Sequence, residues 1–253
     1  MKYLMIHALD EDATPRTGSN GEPLELAAWI EEMEARGVVL DGARLHPVSD
    51  ATSVRAPNGT VVVTDGPFAE TKEQVAGYDV IDCPDLDSAI AVAAAHPTTG
   101  AGSIELRPFD EGMPDPEVPE SVPDGKRRYL MLVCADMRRA MAAELDATEV
   151  HADSVPERSS ADDEEEDEPI DRWIADAGAR RLYGWPLAFP DTAVTVRRVD
   201  GEVVTTDGPF AETKEQIAGY DLLECTDLDD ALEVASSHPV AATGVIELRP
   251  LRL

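Results

Sequence analysis

The stretch Thr64-Asp-Gly-Pro-Phe-Ala-Glu-Thr-Lys-Glu-Gln74 returns letter for letter as Thr206 to Gln216, and its side chains are the ones whose types and spacing could do chemistry. Asp65 and Asp207 are candidate general bases, a role that requires burial to raise a carboxyl pKa toward neutrality. Lys72 and Lys214 are two of only four lysines, and a cation kept at one place in both copies suits a pocket for an anionic ligand. Tyr78 and Tyr220, just beyond each copy, offer a phenol to the same ligand. Each residue also has a plainer reading. Asp before Gly-Pro bonds the amides of its own turn, Lys pairs with Glu70 or Glu73, and an aromatic within a strand fills a core. Identical polar loop residues in a duplication whose flanks have drifted mean either a demanding backbone or a site.

Other repeated residues read as structural. Phe68 and Phe210 plug their turns into the core or the seam between the copies. Arg107 and Arg249 follow Glu105 and Glu247 on one strand face, where cross-strand pairing is the default. Arg55 and Arg197 recur on a hairpin arm. His96 and His238 each precede a proline at a helix end, where a charged imidazole complements the helix dipole.

The elements that carry these residues follow from periodicity. Residues 2 to 9 read as a strand, and Leu26, Trp29, Ile30 and Met33 at i, i+3, i+4, i+7 predict a helix with Pro23 in its first turn and Gly37 beyond its end. Val38 to Val48 reads as a second strand. Asn58-Gly59 and Asp200-Gly201 predict tight hairpins, since their residues tolerate the positive φ of a type I′ turn. Ala69 to Gln74 is either a helical turn or an irregular loop, and Val75 to Asp82 reads as a strand. Asp85 caps a helix over Leu86, Ala89, Ile90 and Ala93, and Ile104 to Arg107 alternates as a last strand. The second copy repeats this order.

Each half thus predicts an α+β, ferredoxin-like βαββαβ domain with an extra hairpin, its helices on one face of an antiparallel sheet. Residues 1–108 form the first domain, 109–126 a Pro-rich acidic linker, and 127–253 the second, with an insertion around 137–168. Met137, Met141 and Leu145 suit a short extra helix there. Ala161 to Glu168 is nearly pure acid without the spacing of a calcium loop, so no metal is assigned to it.

The net charge of −31, from 52 acidic against 21 basic residues, repels nucleic acid and anionic lipid. Acid-rich, lysine-poor composition resembles that of proteins from salt-loving organisms. No apolar run approaches a membrane span or a signal peptide, which predicts a cytoplasmic protein. Cys83, Cys134 and Cys225 match no zinc or CxxC spacing. No GxSxG, HExxH, GxxxxGK or GxGxxG occurs, so no cofactor is expected.

With Asp65-Gly-Pro-Phe68 and Asp207-Gly-Pro-Phe210 each followed by Ala-Glu-Thr-Lys-Glu-Gln, both halves resemble the DGPF-domain branch of the YCII-related family. The resemblance implies a dimeric α/β barrel formed here within one chain, a pseudo-dimer with a cavity between sheet and helices, and a genomic setting beside sigma factors. It also implies a His and Asp pair, the Asp answering to Asp65 or Asp207. No histidine lies in Leu24 to Arg36 or in Ile170 to Ala179, so that pair does not carry over intact; His7 lies in the first strand, opposite an apolar counterpart, Val133. The resulting expectation is a module that binds a small, anionic molecule or regulates through it. The alternatives are an enzyme using Asp65 or Asp207 as base with Lys72, Lys214, Tyr78 and Tyr220 holding substrate, or a structural partner protein.

Overall fold

The computed structural model describes residues 1–10, 25–109, 112–138 and 169–252. Pro23, most of the expected extra helix and the acidic run 161–168 lie outside them. In the first half, β1 (Lys2–Asp10) runs antiparallel between β5 (Glu73–Asp82) and β6 (Gly102–Pro108), and β2 (Val39–Leu45) pairs with the far side of β5. Successive residues of β1 serve two different cores, because the strand's side chains alternate between the faces of the sheet. Tyr3 and Met5 pack with Trp29 and Met33 of α1 (Leu26–Ala35) and with Ala89, Val92 and Ala93 of α2 (Leu86–Ala95). Leu4 and Ile6 point the other way and meet Leu130, Leu132, Tyr220 and Leu222 of the second half. Apolar residues therefore fill both faces of β1.

The second half repeats the order with β7 (Arg127–Ala135), α3 (Pro169–Ala177), β8 (Arg181–Pro186), β9 (Val194–Val199), β10 (Glu202–Asp207), β11 (Gln216–Cys225), α4 (Leu228–Ser236) and β12 (Val245–Arg252). The two predicted hairpin turns take the conformation their residues favour. Asn58 and Gly59 have φ of 52° and 76°, and Asp200 and Gly201 have 51° and 85°.

The hairpin arms cross between the halves. In the first half β3 (Thr52–Arg55) and β4 (Val62–Asp65) form the arm, and β3 pairs with β12 of the second half, Val54 opposite Ile246. The β9–β10 arm pairs in return with β6, Val196 opposite Ile104. Each half's last strand is completed by the other half's arm.

This exchange explains the duplicated motif. Each motif forms an irregular loop closed by its own glutamine: Gln74 donates to Ala69 O and Thr71 O, and Gln216 repeats both bonds at Ala211 and Thr213. Each loop is then gripped from the opposite half. The Phe68 amide donates to Glu247 at 2.8 Å and the Phe210 amide to Glu105 at 3.0 Å. Arg107 and Arg249, fully buried, pair with those glutamates and donate onward to the carbonyls of Ile217 and Val75. The expected cross-strand pairing is thus an i, i+2 pair on one strand that reaches across the seam. Glu73 binds Arg197 at 2.7 Å and Glu215 binds Arg55 at 3.3 Å, also across it.

The acidic connection is strapped to the body. Lys2 donates to Met113 O, and Arg128 donates to the carbonyls of Pro119 and Ser121. All three cysteines are free and buried. No described helix is long and apolar enough to cross a membrane.

Candidate functional site

On the helix-facing side of the first half, three elements bring His7, Asp79 and His96 together. His7 comes from β1 at its bulge, Asp79 from β5, and His96 from the turn after α2. Gly42 on β2 makes the arrangement possible: it pairs with Asp79, and a Cβ there would stand 2.0 Å from the Asp79 carboxylate. A Cβ on Gly77, paired with His7, would stand 2.9 Å from the Ala43 carbonyl oxygen and 3.1 Å from the imidazole.

The three side chains are buried. His7 Nε2 lies 2.9 Å from Asp79 Oδ2, within ion-pair distance, without forming an aligned hydrogen bond. His7 Nε2, Asp79 Oδ2 and His96 Nε2 are consequently buried without an aligned hydrogen-bond partner. Buried polar atoms nearly always find partners. Three orphans converging on one point are a site's signature.

His96 has a fixed polarity. Its Nδ1 accepts from the Thr98 amide at 3.1 Å, which leaves the proton of the neutral ring on Nε2. Burial, with a smaller push from His7, lowers its pKa to about 2. The expectation of a charged imidazole complementing the helix dipole is therefore corrected: the ring is neutral, because desolvation outweighs the dipole. The ligand atoms of His7, Asp79 and His96 all lie within 4.8 Å of one another, close enough to surround a cation. A metal bound at Nε2 would, however, need its lone pair, and the Thr98 amide already claims the lone pair of Nδ1. His96 is built as an N–H donor.

The trio opens onto a cavity of about 540 Å³, within the roughly 300–1,000 Å³ of small-molecule pockets. Leu26 and Ile30 of α1 and Leu45 of β2 give it apolar walls. Ile30, expected on a buried helix face, is 37% exposed because it borders this space. Arg44 and Arg252 line it from neighbouring positions on paired strands β2 and β12, so the second half contributes to the first half's cavity.

The residues singled out in the sequence take different places. Tyr78 lines the cavity, its hydroxyl donating to Asp41 at 2.8 Å. Tyr220 is buried in the core between the halves, 5.6 Å from the Tyr78 ring. Asp65 and Asp207 end β4 and β10 with exposed side chains away from the cavity. Lys72 and Lys214 are 86% and 77% exposed; Lys72 lies nearest to Asp10 rather than to Glu70 or Glu73, whereas Lys214 lies nearest to Glu215, the counterpart of Glu73, at 3.9 Å. Where the two motif loops meet, the space between them is about 10 Å³, no more than one water needs.

Asp79 carried a legible signal. It closes the Ala-Gly-Tyr-Asp that follows both motifs, as does Asp221. His7 carried none, since its counterpart is a valine and its partners lie 72 and 89 residues away.

The YCII-related domain matches this chain twice, over residues 1–111 and 131–253. An uncharacterized protein of Rhizobium meliloti (strain 1021) is 40% identical over 103 residues, which is 38% of this chain and 83% of that protein. The three polar atoms thus occur within the first of two copies, and the chain belongs to the YCII-related family as a tandem repeat of its domain.

Proposed function

We propose that this protein binds a small molecule in the first-half cavity and moves a proton on it. The carrying observation is the convergence of His7, Asp79 and His96, each with a buried polar atom that lacks an aligned hydrogen bond, on an apolar-walled space. His7 Nε2 takes the proton from the ligand, Asp79 steadies the resulting imidazolium, and the fixed Nε2–H of His96 donates to the oxygen that gains charge. Arg44 and Arg252 on the cavity wall suit an acidic ligand. The Asp of the expected His and Asp pair is Asp79 in this reading. The motif residues clamp the seam, and Lys72 and Lys214 stay outside the site.

The Asp-Gly-Pro-Phe motifs support assignment to the DGPF-domain branch. The apolar layer shared by Leu4, Ile6, Leu130 and Leu132 supports an intrachain dimeric barrel of two ferredoxin-like halves. A thermal-shift screen of small carboxylic acids tests the function. The expected result is stabilisation of the wild type that His7→Gln and His96→Ala abolish; a panel without hits, or hits indifferent to both changes, would refute it.

A further inference from the structure

By strand register the second half holds a copy of the same site. Val133 stands where His7 does, Asp221 where Asp79 does, and Gly184 where Gly42 does. A Cβ on Gly184 would lie 1.9 Å from the Asp221 carboxylate, so the close approach is kept. His238 keeps the fixed polarity of His96, its Nδ1 accepting from the Val240 amide at 3.1 Å, and Trp173 meets its ring edge-on as Trp29 meets His96.

Besides Val133, an arginine breaks the correspondence at the carboxylate. Arg181 takes the register position of Val39, opposite Leu223 where Val39 is opposite Ile81. Its Nε donates to Asp221 Oδ1 at 2.6 Å and its Nη2 to Gly184 O at 2.8 Å, with the guanidinium 5.8 Å from the Trp173 ring centroid. His7, Asp79 and His96 each leave a buried atom without an aligned hydrogen bond, whereas the Asp221 carboxylate is bonded by Arg181. A buried carboxylate that lost its imidazole would be left uncompensated, and the arginine supplies the missing cation from inside the protein. That same arginine spends the carboxylate that a ligand would need.

We propose that the chain carries one working small-molecule site, in the first half, and that Arg181 locks its twin in the second. This rests on the first-half cavity being the binding site. The lock has two parts, Arg181 and the missing imidazole at Val133. Reversing both, with Arg181→Val and Val133→His, returns an imidazole to Asp221 in place of the guanidinium, while Trp185 and Pro186 still stand where Ala43 and Arg44 line the first-half cavity. Besides Arg181, Tyr183 is the titratable neighbour of Asp221, and it stays in place.

The test uses the full chain. Arg181→Val alone strips Asp221 of its cation and lowers Tm by on the order of 10 °C. Adding Val133→His recovers at least half of that loss, whatever the ligand proves to be; no recovery overturns the lock. Backbone amide spectra with benzoate as probe then count sites. In the wild type the shifts cluster around Gly42 to Arg44 and Thr98 to Ala101, and Gly184 and Val240 do not move. Val39→Arg, which installs the lock in the first half, erases the first set and leaves the rest of the spectrum unchanged. Shifts in both halves of the wild type, or a first set that survives Val39→Arg, would equally overturn it. Benzoate that perturbs neither half counts against the acid-binding reading, while the Tm pair still decides the lock.

Discussion

Glu247 in the last strand of the chain accepts the amide proton of Phe68, 179 residues earlier, and Glu105 accepts that of Phe210 in return. Both carboxylates are buried beside an arginine, Arg249 and Arg107. Burial pushes each glutamate's pKa up, and the neighbouring guanidinium pulls it back down. Arg107→Met leaves Glu105 buried without a cation, held only by the Phe210 amide, and should cost about 3–5 kcal/mol. Arg107→Met with Glu105→Gln should cost clearly less, since a neutral amide needs no cation. Urea titration of the two variants measures the difference.

Because each half's arm completes the other's sheet, the halves should unfold together. Calorimetry is expected to show one transition with equal calorimetric and van't Hoff enthalpies. Two separable transitions would contradict the exchanged hairpins.

The motif's lysines and glutamates should part company. Lys72→Met and Lys214→Met touch exposed side chains and should stay within about 0.5 kcal/mol of wild type. Glu73→Gln loses the ionic bond to Arg197 and weakens the bond from Ser103, and should cost roughly 1–3 kcal/mol. Chemical denaturation of the three variants ranks them.

Gly42→Ala is the sharpest probe of the first-half site. Its Cβ would meet the Asp79 carboxylate at 2.0 Å and force it to move. Any ligand found in the thermal-shift screen should lose affinity at least tenfold, because Asp79 can no longer face His7. An unchanged affinity by calorimetric titration would place the ligand elsewhere.

The acid limb of stability should carry the mark of His238. Burial, and then the nearby Arg181, lower its pKa to about 4 from an ordinary 6.5. Between these values the unfolded chain holds the extra proton, so stability rises with pH there and is complete above about 6.5. It is lost as pH falls from 6.5 toward 4. His238→Asn keeps an acceptor for the Val240 amide but cannot titrate. Near pH 5 it should remove roughly 1 kcal/mol per pH unit from the slope of unfolding free energy, read from denaturant midpoints between pH 4.5 and 7.

The sequence by itself determined the duplication, the helices over Trp29 and Trp173, the hairpin turns at Asn58 and Asp200, and the order of strands. These are local matters, set by side-chain period and by which residues tolerate a positive φ. It also marked the motif as constrained without saying by what. Only the tertiary structure decided that. Strand periodicity says which residues share a face, but not which strand from which half will lie beside it. The crossed hairpin arms turned Glu105, Arg107, Glu247 and Arg249 from ordinary strand residues into a buried clasp. Register along β1, β5 and β2 likewise chose His7, Asp79 and Gly42 as neighbours, and Val133 on β7 with Arg181 on β8 made the two copies of the site unequal.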